Sequence, residues 1–415
     1  MRFGINTLDD IDVSGKTVLC RVDINQPINH ETGDLKDISR IEACVPTLRE
    51  LSDKGAKVVL LAHQGSDIEY KNFYTTKPHS EVLTKLLGRE VRFVPDVTGP
   101  TAQEAIKSLQ DGELLLLDNV RFCSEEQTLF ELKLKLSHGE QAKTQVVQKL
   151  APLADIYVCD AFAAAHRDQP SLCGFQQVLP SAMGRLFEEE FCVISGLMEA
   201  PARPCVFVLG GAKIADAFLM MQTVLDAQIA DKVLAGGLVA EVLLWAEGKD
   251  IGEEARGLIT RMGYDSLLDD AKALIAKHRG TMLLPTDFAY VKDGARQECK
   301  LDAIPENALV LDIGSETAAC FQKEIRQAKT VFVNGPMGVF EETPSELGTK
   351  LVWDALGDTA AYTVIGGGDS IAATNKYGKS EQIDYICTGG GALIRFLTGE
   401  ELPVVRALRH GSRKD

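Results

Sequence analysis

IEACVPTLRELSDKGAKVVLLA, residues 41–62, contains the change of period on which the fold turns. From Ile41 to Lys54 apolar residues recur three and four apart, the spacing of a helix with one buried face. Past Gly55 the pattern becomes a short apolar run, 57–62, with the length and β-branched content of a buried strand. Upstream, TVLCRVD (17–23) is a second run of this kind. Strand, helix, strand is the repeating unit of a parallel sheet.

The alternation continues along the whole chain. Runs at 91–94, 113–118 and 155–160 complete the first half, and runs at 205–209, 232–235, 282–284, 309–312, 330–334, 362–365 and 384–387 form the second. A chain of 415 residues exceeds one ordinary domain. The expected fold is α/β, two doubly wound, Rossmann-like parallel-sheet domains joined by a hinge helix. The helix candidate is LFEEEFCVISGLMEA, 186–200, followed by the breaker Pro201-Ala-Arg-Pro204. The domains are then 1–185, completed by 400–415, and 201–399. The polar tail 406–415 is expected to be partly mobile.

Composition removes several classes of function. Lys and Arg number 44 against 60 Asp and Glu, a net charge of −16, so no global positive field draws nucleic acid or an anionic membrane. Anion binding must be local. The ten cysteines are never closer in sequence than Cys192 and Cys205, which leaves no CxxC pair, and they are expected as buried thiols. The first residues lack a signal-type apolar core, and no run approaches the roughly 18 apolar residues of a membrane span. A cytoplasmic location is expected.

In open parallel sheets ligands bind beyond the carboxyl ends of the strands. After first-half strands come Asp23 and Asn25, then His63, then Arg121, then His166 and Arg167, with Arg40 opening the helix at Asp37-Ile-Ser-Arg40, where Ser39 or Asp37 is the candidate cap. Guanidinium forks suit phosphate and carboxylate, so several at one rim point to a small polyanion. Second-half strands end in glycine: Gly210-Gly211-Ala-Lys213, Gly236-Gly237, Asn334-Gly335, Gly366-Gly367-Gly368-Asp369-Ser370 and Gly389-Gly390-Gly391. Such turns let a ligand approach backbone, and the helices behind them offer N–H groups to phosphate. The standard nucleotide motifs are absent. Gly378-Lys379-Ser380 has Ala373 where a P-loop needs glycine, Gly15-Lys16-Thr17 has Asp10, and no GxGxxG occurs.

Eight ordered segments resemble the phosphoglycerate kinase family: RVDINQP (21–27), SRIEACVPTL (39–48), LLLLDNVRF (114–122), DAFAAAHR (160–167), LGGAKIAD (209–216), NGPMGVFE (334–341), GGGDS (366–370) and TGGGA (388–392). The resemblance implies reversible, Mg2+-dependent phosphoryl transfer between ATP and 3-phosphoglycerate, giving ADP and 1,3-bisphosphoglycerate. It implies a phosphoglycerate site of Asp23, Asn25, Arg40, His63, Arg121, His166 and Arg167, with Arg40 also stabilising the transferring group. On the nucleotide side it implies Lys213 at the phosphates, Gly236 and Gly237 at the adenine, Glu341 at the ribose, Asp369 at the metal and Ser370 donating to phosphate. Gly210, Gly211, Asn334, Gly367 and Gly368 complete that set.

The chain departs from the family pattern twice. Ser66-Asp67 stand where an Arg usually follows the His63 strand, and Ala217 stands where a second lysine often follows Lys213. Restoring the charge with Ser66→Arg is expected to tighten phosphoglycerate binding. Two other readings are separable by assay: a related acyl-phosphate kinase with a different carboxylate acceptor, and a two-lobed binding protein without turnover. Partners are expected to be these small substrates, with no nucleic acid and no membrane, on a monomer or homodimer.

Overall fold

The computed structural model describes residues 1–29, 31–65 and 73–413. Contacts divide the chain into one unit of residues 1–193 with 401–415 and a second of 194–400.

In the first unit β1 (Thr17–Arg21), β2 (Lys57–Leu61), β3 (Val91–Val94), β4 (Leu114–Leu117), β5 (Ile156–Cys159) and β6 (Ser181–Met183) form one sheet in the order β3-β4-β2-β1-β5-β6. Every pair is parallel. The strands carry continuous apolar runs because helices cover both faces. Val18, Cys20, Val58, Leu60, Leu114 and Leu116 point to one face and pack with Ile41, Cys44, Leu48 and Leu51 of the helix Ser39–Asp53. β1 and β5 are neighbours although three strands of chain separate them, so strand order reverses between them. Loops after such a pair diverge and open a crevice.

The second unit holds β7 (Cys205–Leu209), β8 (Lys232–Ala235), β9 (Met282–Leu283), β10 (Asp287–Lys292), β11 (Ala295–Lys300), β12 (Val310–Ile313), β13 (Thr330–Asn334), β14 (Tyr362–Gly366) and β15 (Tyr385–Ile386). Six of these form a parallel sheet, β15-β14-β13-β7-β8-β9, reversing between β7 and β13. Its core includes Val206, Val208, Val331, Val333 and Trp353, whose indole N–H donates to Thr374 Oγ1 at 2.9 Å.

Three expectations are corrected. The run 309–312 is a strand, but it lies in a separate antiparallel sheet, β11-β10-β12, because its backbone pairs with the β10–β11 hairpin. As far as residue 413 the tail is held. Residues Pro403–Gly411 are a helix that buries Val404, Val405, Ala407 and Leu408 in the first unit, and Ser412 Oγ accepts the Asn6 N–H at 2.8 Å. Six of the ten cysteines are buried, while Cys123, Cys192 and Cys299 are half-buried and Cys320 is exposed.

The long helix is Arg185–Glu199. Asp160, fully buried at the end of β5, accepts the first-turn N–H groups of Leu186 (3.0 Å) and Phe187 (3.2 Å). A buried carboxylate on a helix N-terminus compensates groups that otherwise lack acceptors.

Candidate active site

At the carboxyl ends of β1, β2 and β4 the first unit gathers charged side chains around one imidazole. His63, just past β2, is buried, and burial holds its pKa well below 6.5. The charges of Arg21, Arg121, Arg40 and Arg167 push in the same direction. The ring is neutral. Its Nδ1 lies 3.1 Å from Arg21 Nη2. A guanidinium only donates, so Nδ1 accepts and the ring proton sits on Nε2. His63 therefore offers an N–H donor among cations, which suits an anion.

Arg21 is the residue that sequence reading passed over. It closes the apolar run TVLCR and is 1% exposed. Its Nε donates to Ser171 Oγ (3.0 Å), which donates to Glu126 Oε2 (2.7 Å). Glu126 also accepts the Ser171 N–H at 2.6 Å. Burial pushes Glu126 up to about 7, against the lowering effect of Ser171 and Arg21. Residues 21, 63, 126 and 171 thus form one buried relay, invisible in sequence because its members come from four separate segments.

Around this relay the predicted residues divide. Asp23 is buried, accepts the Asn25 N–H (3.1 Å) and binds Arg40 Nη1 (3.1 Å). Asn25 Oδ1 accepts the Gly65 N–H at 2.9 Å, and Arg121 Nη1 donates to the Gly65 carbonyl at 2.5 Å. Arg40 and Asn25 border a cavity of about 600 Å³ with Lys36, Gln64 and Tyr74. His166 and Arg167 follow the turn Phe162–Ala164 and are half-buried. Arg167 turns partly away, toward Thr128 Oγ1 (3.5 Å) and Glu131 Oε2 (3.9 Å). Ser66 and Asp67 lie outside the described residues.

The helix behind Arg40 is capped differently from expectation. Ile38 is the cap residue, and Asp37 Oδ1 accepts the Ser39 N–H (3.1 Å) while its Oδ2 accepts the Ser39 hydroxyl (2.6 Å). Turned with its oxygen toward this helix, the Gln26 amide accepts the Arg40 N–H at 2.7 Å.

The His63 state gives a pH prediction. Unfolded, the imidazole takes a proton near its ordinary value of about 6.5. Folded, it does not, so below that pH the unfolded chain binds more protons and stability is lost as pH falls. His63→Gln removes this contribution, and the melting temperature of wild type relative to the variant is expected to drop between about pH 7.5 and about pH 5. A constant difference across that range would contradict a neutral His63.

In the second unit, the loops after β7, β8 and β13 are packed backbone on backbone. Gly211 N–H donates to the Pro336 carbonyl (2.8 Å) and Gly237 N–H to the Met337 carbonyl (2.9 Å). A Cβ on Gly210 would meet Pro336 O at 2.1 Å, and one on Gly236 would meet Met337 Sδ at 2.6 Å. Gly335, at φ +95°, would meet Gly210 O at 2.2 Å. Much of the glycine pattern therefore lets the loops approach one another. It shapes a cavity of about 250 Å³ lined by Gly211, Gly237, Pro336, Glu341 and Asp369.

Lys213 is exposed and stands as the residue before the helix Ile214–Asp226, beside Ala212 of the cavity wall. Ala217 lies on the buried face of that helix, so its small side chain packs inward. Gly367 (φ +90°) precedes the helix Gly368–Lys376, whose first turn presents Gly368 and the exposed Asp369. Asn334 Nδ2 donates to the Gly366 carbonyl at 3.2 Å. Ser370 is fully buried, and its hydroxyl accepts the Gly335 N–H at 2.7 Å, tying two loops together and leaving its O–H to donate.

A family model described as phosphoglycerate kinase matches residues 8–400. The chain belongs to the phosphoglycerate kinase family. It is 43% identical to the phosphoglycerate kinase of Methanothermus fervidus over 99% of this chain and 98% of that one. Identity to the enzyme of Methanothermobacter thermautotrophicus is 44%, over 98% and 97%. The crystal structure of phosphoglycerate kinase from Pyrococcus horikoshii OT3 superposes with a TM-score of 0.88 at 38% identity, covering 99% of this chain and all of that one. At 28% identity the Coxiella burnetii phosphoglycerate kinase structure still gives 0.83 over 97% and 98% of the two chains. No helix among the described residues is long and apolar enough to cross a membrane.

Proposed function

We propose that this chain catalyses the reversible transfer of a phosphoryl group between ATP and 3-phosphoglycerate, giving ADP and 1,3-bisphosphoglycerate, the reaction its family implies. The observation that carries this reading is the neutral, Nε2-protonated His63 set among four guanidiniums, a donor array for a small polyanion. Asp23, Asn25, Arg40, His63, Arg121, His166 and Arg167 hold the phosphoglycerate. The second unit binds ATP, with Gly211 and Gly237 against the base, Glu341 at the ribose, and Lys213 with the first turn of Gly368–Lys376 at the phosphates.

Asp369 fits Mg2+ because it is an exposed carboxylate on the rim of the cavity, and this cation takes one or two carboxylates together with phosphate oxygens. Bound there, it would neutralise charge on the phosphates. The protein's own part is positioning and charge stabilisation, the main work of phosphoryl transfer. Arg40 faces the charge that develops on the transferring group. A cytoplasmic monomer or homodimer matches the reading.

A coupled assay supplying ATP, Mg2+ and 3-phosphoglycerate tests it, and turnover only with another carboxylate, or none, would overturn it. The acceptor and donor sets belong to different units, yet reacting atoms must come within roughly 3–3.5 Å. The helix Arg185–Glu199 is proposed as part of the hinge. The radius of gyration by small-angle scattering is expected to fall when both substrates bind, and a value unchanged at saturation would refute closure.

A further inference from the structure

Glu241 is a group the reaction above does not use. It stands on the wall of the cavity in the second unit, on the helix Gly237–Ala246, and is 5% exposed. Its helix is otherwise apolar, GLVAEVLLWA, with Val239, Ala240, Val242, Leu243 and Leu244 all buried. Its Oε2 is sealed from water and has no hydrogen-bond partner. Burial alone pushes the carboxyl up to about 8.

The other carboxyl groups on this cavity are Asp312, Glu341 and Asp369. Asp312 is engaged by Arg296 (2.8 Å) and the Gly348 N–H (2.6 Å), and Glu341 and Asp369 are exposed. Both bonds fall on Asp312 Oδ2 and its Oδ1 is buried without a partner, so of the four Glu241 is the one buried carboxyl with no bond to either oxygen. A buried polar group without a partner is costly, and an apolar side chain of similar size would be the more stable choice. A carboxyl kept at that position is best explained by a partner that arrives with a ligand.

We propose that Glu241 reads the edge of the nucleobase and selects adenine over guanine. This rests on the assignment of the cavity to the nucleotide. A neutral carboxyl presents one O–H donor beside one carbonyl acceptor. Adenine offers the complement, a ring-nitrogen acceptor beside the N6 amino donor. The N1–H and amino group of guanine are adjacent donors, which an ionised carboxylate would match instead.

Isothermal calorimetry of ATP and GTP, at about pH 6.5 and matched magnesium, tests this on the full chain. Wild type is expected to favour ATP by about tenfold or more, the effect of one or two hydrogen bonds. Glu241→Gln keeps a donor beside an acceptor and should hold that ratio within about threefold. Glu241→Leu should weaken ATP about tenfold while leaving GTP unchanged, and should raise the melting temperature. Wild type alone gives a second test: its preference should shrink as pH rises to about 8.5, where the carboxyl ionises. The phosphates titrate alike on the two nucleotides and cancel in the ratio. If Glu241→Leu keeps the wild-type ratio, or the wild-type ratio does not move with pH, the role of Glu241 is overturned while the nucleotide cavity stands. If wild type binds neither nucleotide, the assignment of the cavity itself fails.

Discussion

Arg40→Ala is expected to lower kcat by about 10²–10³-fold with a smaller change in KM for either substrate. Removing a donor aimed at charge that develops in the transition state costs this much in comparable sites. Arg40 lies in the first turn of the helix Ser39–Asp53, where the helix dipole disfavours a cation unless an anion is close. Asp23 supplies one anion, at 3.1 Å, and the substrate would supply the other. The side chain is about a third exposed, so the ion pair is partly screened and does little for stability. That separates the two roles of the residue. A loss confined to melting temperature, with kcat within about threefold of wild type, would make Arg40 a structural partner of Asp23. Arg40→Lys should recover only a small part, since an ammonium cannot present two parallel donors.

The fold was legible wherever a strand is a buried apolar run, because burial on both faces leaves a continuous signal. The runs at 91–94, 205–209, 232–235 and 330–334 coincide with β3, β7, β8 and β13. The β10–β11 hairpin escaped because β11, ARQECK, is mostly exposed and polar. Its turn nonetheless had a sequence mark in Asp293-Gly294, both at positive φ, as a tight two-residue hairpin demands. Three-residue β6 is too short to carry any pattern.

The candidate sites were legible to a different degree. Side chains placed just past strand ends could be found, since topology alone sends them to one rim. Their supports could not. Glu126 and Ser171 reach Arg21 and His63 only through tertiary packing, and Glu241 is a single polar residue inside an apolar helix. The glycines were visible, but the loop-on-loop packing that several of them permit was not. Gly210, Gly236 and Gly335 sit against neighbouring loops, so they set how closely those loops pack behind the cavity.

Lys213→Ala should impair turnover severely, by about 10²-fold or more, and the reason lies in how little positive charge surrounds its loop. Lys213 is the residue before the first turn of Ile214–Asp226, a place where free N–H groups already favour an anion and a cation needs one to be stable. It is exposed, and no described carboxylate holds it in an ion pair within 4.0 Å. A structural lysine would be expected to have such a partner. Ala217, one turn further on, is buried and adds no charge, so the phosphates would meet one ammonium here where relatives of the family often bring two. Losing it removes the whole cation and not half of a pair. Lys213→Arg should rescue partly, because a wide planar fork does not occupy the place of a compact ammonium. Turnover of ATP and 3-phosphoglycerate at matched magnesium, compared for wild type and both variants, decides the matter. The melting temperature should not move, since an exposed side chain without a partner contributes little to the fold. A near-normal kcat in the alanine variant would leave Lys213 a solvated lysine and would shift the burden of charge to the helix N-termini.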